Sequence, residues 1–201
     1  MNSDAAYPFN ALLSRMKYIG RWGLMRSARH ENLAEHTADV AILTHTLACI
    51  GREIYADGDI RPDTLAVAAL YHDASEIITG DMPTPVKYKN DDLRTAYKKL
   101  ERESAGRLAE LLPPALQKQM AGAVTGDILT PREKLYLKAA DRLSALIKCL
   151  DEEMSGNSEF RSAKEQQIQL LQQMQLPAAN YFMQHLLPCY RQDLDELTKT
   201  L

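Results

Sequence analysis

Apolar residues recur at helical spacing along almost the whole chain. Phe9, Leu12, Leu13, Met16 and Ile19 follow the i, i+3, i+4, i+7 pattern, with Pro8 suited to the first helical position and Gly20 a natural stop. A second helix is predicted over 34–54, strongly apolar through Val40, Ala41, Ile42, Leu43, Leu47, Ala48 and Ile50. After the turn Asp57-Gly58-Asp59, Pro62 opens a third that runs until Gly80. Further helices are expected over 93–112, over 115–124 beyond the break at Pro113-Pro114, and over 131–154, 158–175 and 178–199. The start at 131 is well marked: Thr130 caps, Pro131 takes the first helical position and Glu133 completes a capping box, with Gly156 as the stop. Pro188 is expected to kink the last helix. No clear run of alternating β-branched residues occurs, and no Ser/Gly-rich linker or fixed-period repeat divides the chain. The pattern predicts an all-α fold in one domain, 1–201.

The same pattern is interrupted where chemistry can enter. Residues 65–70 are apolar all round, the mark of a buried helix, and then His72, Asp73 and Glu76 follow within five positions. On a continuous helix these three project to one side. Buried charge is costly unless paired, neutralised or bound to a metal, so the stretch reads either as a buried polar cluster or as half of a metal site. Immediately downstream, Pro83 and Pro85 fix the backbone of 81–86 as a rigid extended loop beyond the end of that helix. Such a loop is either a stiff connector or a cover for the site.

Other polar positions are less telling. His36 stands one turn before the apolar run of the second helix, and on spacing alone it and His45 read as core or capping residues. Asp141 points with Lys138 and Lys148, nearly opposite the apolar face of its helix, so periodicity makes it solvated unless a polar cleft lies on that side. Arg21-Trp22-Gly23 holds the only tryptophan, in a loop. Trp22 can anchor that loop on the core, or an Arg beside an aromatic can clamp a phosphate and stack a ring or sugar.

Composition narrows the field. The chain is 45% hydrophobic and 25% charged with net charge −3, and no basic stripe with interleaved aromatics marks a nucleic-acid binder. A few local cations can still hold a small phosphate. Cys49, Cys149 and Cys189 are odd in number and form no CxxC pair, which predicts buried reduced thiols in a cytoplasmic protein and no cysteine zinc site. The first six residues lack the basic and apolar runs of a signal peptide, and no apolar stretch approaches the ~20 residues that a bilayer demands, so no membrane association is expected.

Taken in order, His36, His72-Asp73 and Asp141 form an H…HD…D pattern that resembles the HD-domain metal-dependent phosphohydrolases. Longer stretches sharpen the resemblance. Arg21-Trp22, Glu35-His36-Thr37, Tyr71-His72-Asp73-Ala74-Ser75-Glu76 and Thr79-Gly80-Asp81-Met82-Pro83-Thr84-Pro85-Val86-Lys87 look like the bacterial HD-domain 5′-deoxynucleotidases. So do Lys138-Ala139-Ala140-Asp141, Leu146-Ile147-Lys148-Cys149-Leu150, Gly156-Asn157 and Glu159-Phe160. The resemblance covers nearly the whole chain. It implies a compact multi-helix HD-domain bundle with the metal site between buried helices.

The resemblance also implies roles. His36, His72, Asp73 and Asp141 would be ligands of a divalent ion, Co²⁺ or Mn²⁺, and a mixed N/O set suits such borderline first-row ions. Glu76 would handle protons at the attacking water or the leaving 5′-oxygen, or else orient a histidine ligand. Arg21 would hold the phosphate, and Trp22 would pack on the deoxyribose and leave no room for a 2′-hydroxyl. Asp81, Met82, Pro83 and Thr84 would contact the nucleotide, as would His36, Asp73 and Asp141 through the site they line. The activity implied is hydrolysis of 2′-deoxynucleoside 5′-monophosphates with weak base selectivity, by a homodimer. A hydrolase of another nucleotide, triphosphate or cyclic, and a non-catalytic metal-binding helical regulator are the competing readings.

Overall fold

A computed structural model describes residues 6–87 and 89–199. The reading of the N-terminus as no signal peptide falls largely on residues 1–5, outside the described residues. Eleven α-helices are present among the described residues: α1 (Phe9–Leu13), α2 (Leu33–Tyr55), α3 (Pro62–Ala69), α4 (Glu76–Thr79), α5 (Thr84–Lys87), α6 (Asp91–Glu110), α7 (Pro114–Thr125), α8 (Pro131–Met154), α9 (Arg161–Gln173), α10 (Pro177–His185) and α11 (Leu194–Thr198). Short 3₁₀ turns follow α1, precede α9 and follow α10. Among the described residues there is no strand, only an isolated antiparallel bridge between Gly20 and Asn32.

The two long helices set the frame. α2 starts from a capping box in which Asn32 accepts from the backbone of Ala34 and Glu35, and α8 starts from the expected box of Thr130 and Glu133. α2 packs on α3, α8 and α10, and α9 lies on α8. Between α2 and α8 the approach is close enough that a Cβ at Gly51 would collide with the Tyr136 phenol. Leu47, Leu65, Ala69, Leu143, Leu146 and Phe182 belong to the main core built there. A second, smaller core gathers Phe9, Ala74, Leu108, Leu112 and Val124 under α6 and α7. No helix among the described residues is long and apolar enough to cross a membrane.

Several expected elements are corrected. The first helix ends at Leu13 and continues as a 3₁₀ turn to Tyr18. The third does not run through to Gly80: α3 stops at Ala69, residues 70–75 form turns, and α4 resumes at Glu76. The break has two visible causes. Ala69 packs in the main core and Ala74 in the smaller one, and His72 Nδ1 takes the Ala69 carbonyl at 2.7 Å. The all-apolar stretch is not buried all round either, since Val67 and Leu70 are 48% and 44% exposed. The proline-rich segment is not wholly extended, because Pro85 sits in the first turn of α5, where a missing N–H costs nothing. The last predicted helix breaks into α10, a 3₁₀ turn containing Pro188, and α11. Of the three free cysteines only Cys149 is buried; Cys49 is partly exposed and Cys189 exposed.

Candidate metal centre

The turn at 70–75 faces the first turns of α2 and the middle of α8. His36, fully buried on α2, and His72 bring their Nε2 atoms together with Asp73, and these ligand atoms all lie within 4.8 Å of one another. Asp73 Oδ2 stands 3.0 Å from His72 Nε2 and 3.5 Å from His36 Nε2. Both rings are fixed from behind. His72 Nδ1 faces the Ala69 carbonyl, which can only accept, so Nδ1 carries a proton and Nε2 is the nitrogen turned toward the cluster. His36 Nδ1 meets the Ser144 hydroxyl at 3.1 Å. Neither Nε2 atom has a hydrogen-bond partner. Two buried imidazole nitrogens left open beside a carboxylate, each with its other nitrogen tied down, are the arrangement in which histidines hold a metal.

Asp141 joins from α8. Its Oδ1 lies 3.4 Å from His36 Nε2, and its Oδ2 accepts from Lys138 at 2.6 Å. Its helical phase is the one expected for a solvated residue, but His36 lies on that side and turns it inward. It stands outside the set of three whose ligand atoms are mutually close.

The cluster's charges are strongly perturbed. Burial opposes a charged imidazole at His36, but the flanking carboxylates of Asp141 and Asp73 outweigh it and push its pKa up to about 9. Burial likewise disfavours ionised Asp73 and Asp141, yet His72 holds the first, and Lys138 with His36 the second, well below the usual carboxylate range. Glu76, buried at the start of α4, goes the other way: burial first, then Asp73 and Asp81, push it up to about 9. Its Oε2 has no hydrogen-bond partner.

Arg21 reaches the same place from the loop before α2. Its Nη1 is 3.8 Å from Asp73 Oδ2 and 4.0 Å from Asp81 Oδ1. Burial opposes its charge, and Asp81, Glu31 and Asp73 more than restore it. Trp22 packs on Phe160 with ring centroids 5.2 Å apart. Asp81 is set by an anchored segment: Tyr97 donates to the Gly80 carbonyl at 3.0 Å, and Lys87 pairs with Glu101 at 2.7 Å while lying over the Tyr97 ring. Met82, Pro83 and Thr84 continue from Asp81 into α5, but no hydrogen bond or ion pair links their side chains to the cluster among the described residues. Sequence reasoning assigned no role to Glu31, which meets Arg21 and Trp22 across a loop, to Lys87, which meets Glu101 on α6, or to the Lys148–Glu152 pair, which is joined by the loop at 26–29.

The sequence matches the YfbR-like 5′-deoxynucleotidase family over residues 8–190. The chain belongs to that family. It is 41% identical over 191 residues to a 5′-deoxynucleotidase of Erwinia tasmaniensis, covering 95% of this chain and 96% of the relative. A 5′-deoxynucleotidase of Yersinia pestis is 42% identical over 190 residues, covering 94% and 96%. Among solved structures, the HD-domain phosphohydrolase lin2634 of Listeria innocua superposes with a TM-score of 0.76 at 22% identity, over 90% of this chain and 87% of that one. The cyanophage S-2L HD phosphohydrolase DatZ, bound to dA and one catalytic Zn²⁺, superposes with a TM-score of 0.65 at 20% identity, over 90% and 95%. These two likenesses agree with the expected HD-domain fold.

Proposed function

We propose that the protein hydrolyses 2′-deoxynucleoside 5′-monophosphates, adding water across the phosphoester to give the deoxynucleoside and inorganic phosphate. Membership of the 5′-deoxynucleotidase family supports the reaction class. The observation that carries the reading is the pair of orphaned Nε2 atoms on His36 and His72, converging with Asp73 beside the Arg21 guanidinium. His36, His72 and Asp73, with Asp141 as fourth ligand, would hold a divalent ion, and a borderline first-row metal such as Co²⁺ or Mn²⁺ fits the mixed nitrogen and oxygen donors. When bound, that ion supplies Lewis-acid polarisation of a phosphoryl oxygen and a water acidic enough to attack at neutral pH. DatZ, of the same fold, carries Zn²⁺ and dA together.

The remaining work falls to the chain's own side chains. Arg21 binds the phosphate through the Nη edge that it turns toward Asp73 and Asp81, and meets the charge that builds on the equatorial oxygens. Glu76, buried three residues beyond Asp73, handles the proton that must leave the water and reach the departing 5′-oxygen. Trp22 packs on the deoxyribose and excludes a 2′-hydroxyl, while Asp81 accepts from the 3′-hydroxyl and Met82, Pro83 and Thr84 line the nucleotide. A homodimer in the cytoplasm completes the reading. The test is phosphate release from a panel of deoxy- and ribonucleoside 5′-monophosphates, triphosphates and cyclic nucleotides across a divalent-metal screen. Deoxymonophosphates are expected to be fastest. A triphosphate or cyclic nucleotide turned over faster would favour a different phosphohydrolase, and no turnover on any of them would favour a non-catalytic metal-binding regulator.

A further inference from the structure

One carboxylate ties the phosphate arm to the indole. Glu31 Oε2 accepts from Arg21 Nε at 3.1 Å and from Trp22 Nε1 at 2.8 Å. The backbone puts it there. Gly20 and Asn32 bridge across the base of the loop, Arg21 N donates to the Glu31 carbonyl at 3.0 Å, and Leu33 N donates to the Ile19 carbonyl at 2.9 Å. Glu31 therefore stands across from Arg21 at the neck of an eleven-residue loop, whatever the loop's tip does.

The consequences reach both groups. With Nε held, the guanidinium can turn only its Nη edge toward Asp73 and Asp81. Trp22 has a left-handed φ of 60°, an unfavourable backbone for a bulky residue, and needs fixed contacts to persist. Its carbonyl accepts from Met25 N at 2.8 Å, and its side chain has two more, the indole N–H on Glu31 and a tilted ring contact with Phe160. Charge-assisted bonds of this kind are among the stronger ones available to a partly buried side chain. We infer that Glu31 is a positioning residue that locks Arg21 and Trp22 into one rigid clamp, so that the seat of the phosphate and the wall against the 2′-position are set together. This rests on the function proposed above. Glu31 does not touch the substrate; it acts through the two residues that would. Its removal leaves Arg21 free to collapse onto Asp73 and Asp81, and Trp22 free to leave the sugar.

The test uses the full-length, metal-loaded protein with Glu31→Ala and Glu31→Gln. Because Trp22 is the only tryptophan in the chain, its emission reports the clamp without any activity measurement. Glu31→Ala is expected to red-shift that emission, to raise KM for deoxy- and ribonucleotide alike, and to lower the deoxy-to-ribo ratio of kcat/KM roughly tenfold, the size of one lost hydrogen bond. Glu31→Gln, which keeps an acceptor oxygen but not the charge, is expected to lie between. In a Trp22→Phe background, which lacks the indole N–H, Glu31→Ala should still raise KM through Arg21 but no longer move the ratio. Unchanged Trp22 emission in Glu31→Ala, or an activity loss equal on both sugars with the ratio unmoved, would overturn the inference. A wild-type protein that releases phosphate without preferring deoxyribose would instead overturn the proposed sugar selection, and the emission shift would still decide whether the clamp exists.

Discussion

Two buried polar clusters lie along α8 and differ in one respect. Near its C-terminus, Glu152 and Lys148 are 1% and 6% exposed, and every polar atom between them is used. Glu152 accepts from Ala28 N at 2.7 Å, Arg29 N at 3.2 Å, Asn157 Nδ2 at 2.7 Å and Lys148 Nζ at 2.5 Å, and Lys148 also donates to the Arg29 carbonyl. In the middle of the helix, His36 and Glu76 are as buried as that pair, while Asp73 and Asp141 are 23% and 25% exposed, and His36 Nε2, His72 Nε2 and Glu76 Oε2 have no hydrogen-bond partner. A buried polar group without a partner costs stability, whereas a fully satisfied network fixes one structure. The first cluster therefore holds the loop at 26–29 onto α8. The second keeps donor atoms open, a standing cost that a bound ligand would relieve.

Substitutions can break this contrast. The largest effect is expected from His72→Ala, which should abolish stoichiometric metal binding and cut phosphate release on the order of 10⁴-fold, while the metal-free protein keeps its melting temperature. Elemental analysis, a phosphate assay and calorimetry on one preparation would check this. Glu152→Ala should do the opposite, costing roughly 3–5 kcal/mol of unfolding free energy by stranding the Lys148 charge, with metal stoichiometry intact in the folded fraction. Denaturant titration reads it, and a loss below about 1 kcal/mol, the worth of a surface pair, would erase the distinction between the clusters. Glu76→Gln should lower kcat by roughly a hundredfold to a thousandfold with metal content unchanged. Loss of metal instead would move Glu76 into the ligand set.

The smallest effect is a pH slope. Burial opposes ionisation of Glu152, but Lys148, the Ala28 amide and Asn157 outweigh it and hold its pKa down to about 2, against 4.5 for a free side chain. A depressed carboxylate pKa stabilises the fold above the unfolded value and loses that contribution as pH falls toward the folded one. Stability should thus decline between about pH 4.5 and 2, and urea titrations across that window should show a shallower decline for Glu152→Gln than for the wild type.

Much of the helical frame was legible because its signals are local. Thr130, Pro131 and Glu133 announce α8, and Gly80 and Gly156 mark stops; both glycines adopt the positive φ that favours glycine. The Asn32–Glu35 box was equally readable and moves the start of α2 back to Leu33. The break at Leu70 was not legible, since the apolar run continues smoothly into it. What ends α3 is packing on two separate cores and a side-chain claim on the Ala69 carbonyl. Helical phase misplaced Lys148, a polar-face residue that is buried because a loop from 119 positions earlier supplies an acceptor. It said the same of Asp141, where resemblance and not periodicity pointed to His36. Periodicity reports which face is apolar; it carries no trace of a polar cleft closed by another segment. Glu31 shows the same limit, since only the bridge at Gly20 and Asn32 sets it opposite Arg21.

The central claim is that the open cluster is a metal-dependent phosphomonoesterase site. Its most direct test is to strip the purified protein with a chelator, confirm the metal is gone, and follow phosphate release from a deoxynucleoside 5′-monophosphate as Co²⁺ or Mn²⁺ is returned stepwise. Activity should be absent in the stripped protein and return in proportion to the ion bound, with His72→Ala failing to recover. Full activity in the stripped protein, or recovery by His72→Ala equal to the wild type, would contradict the account.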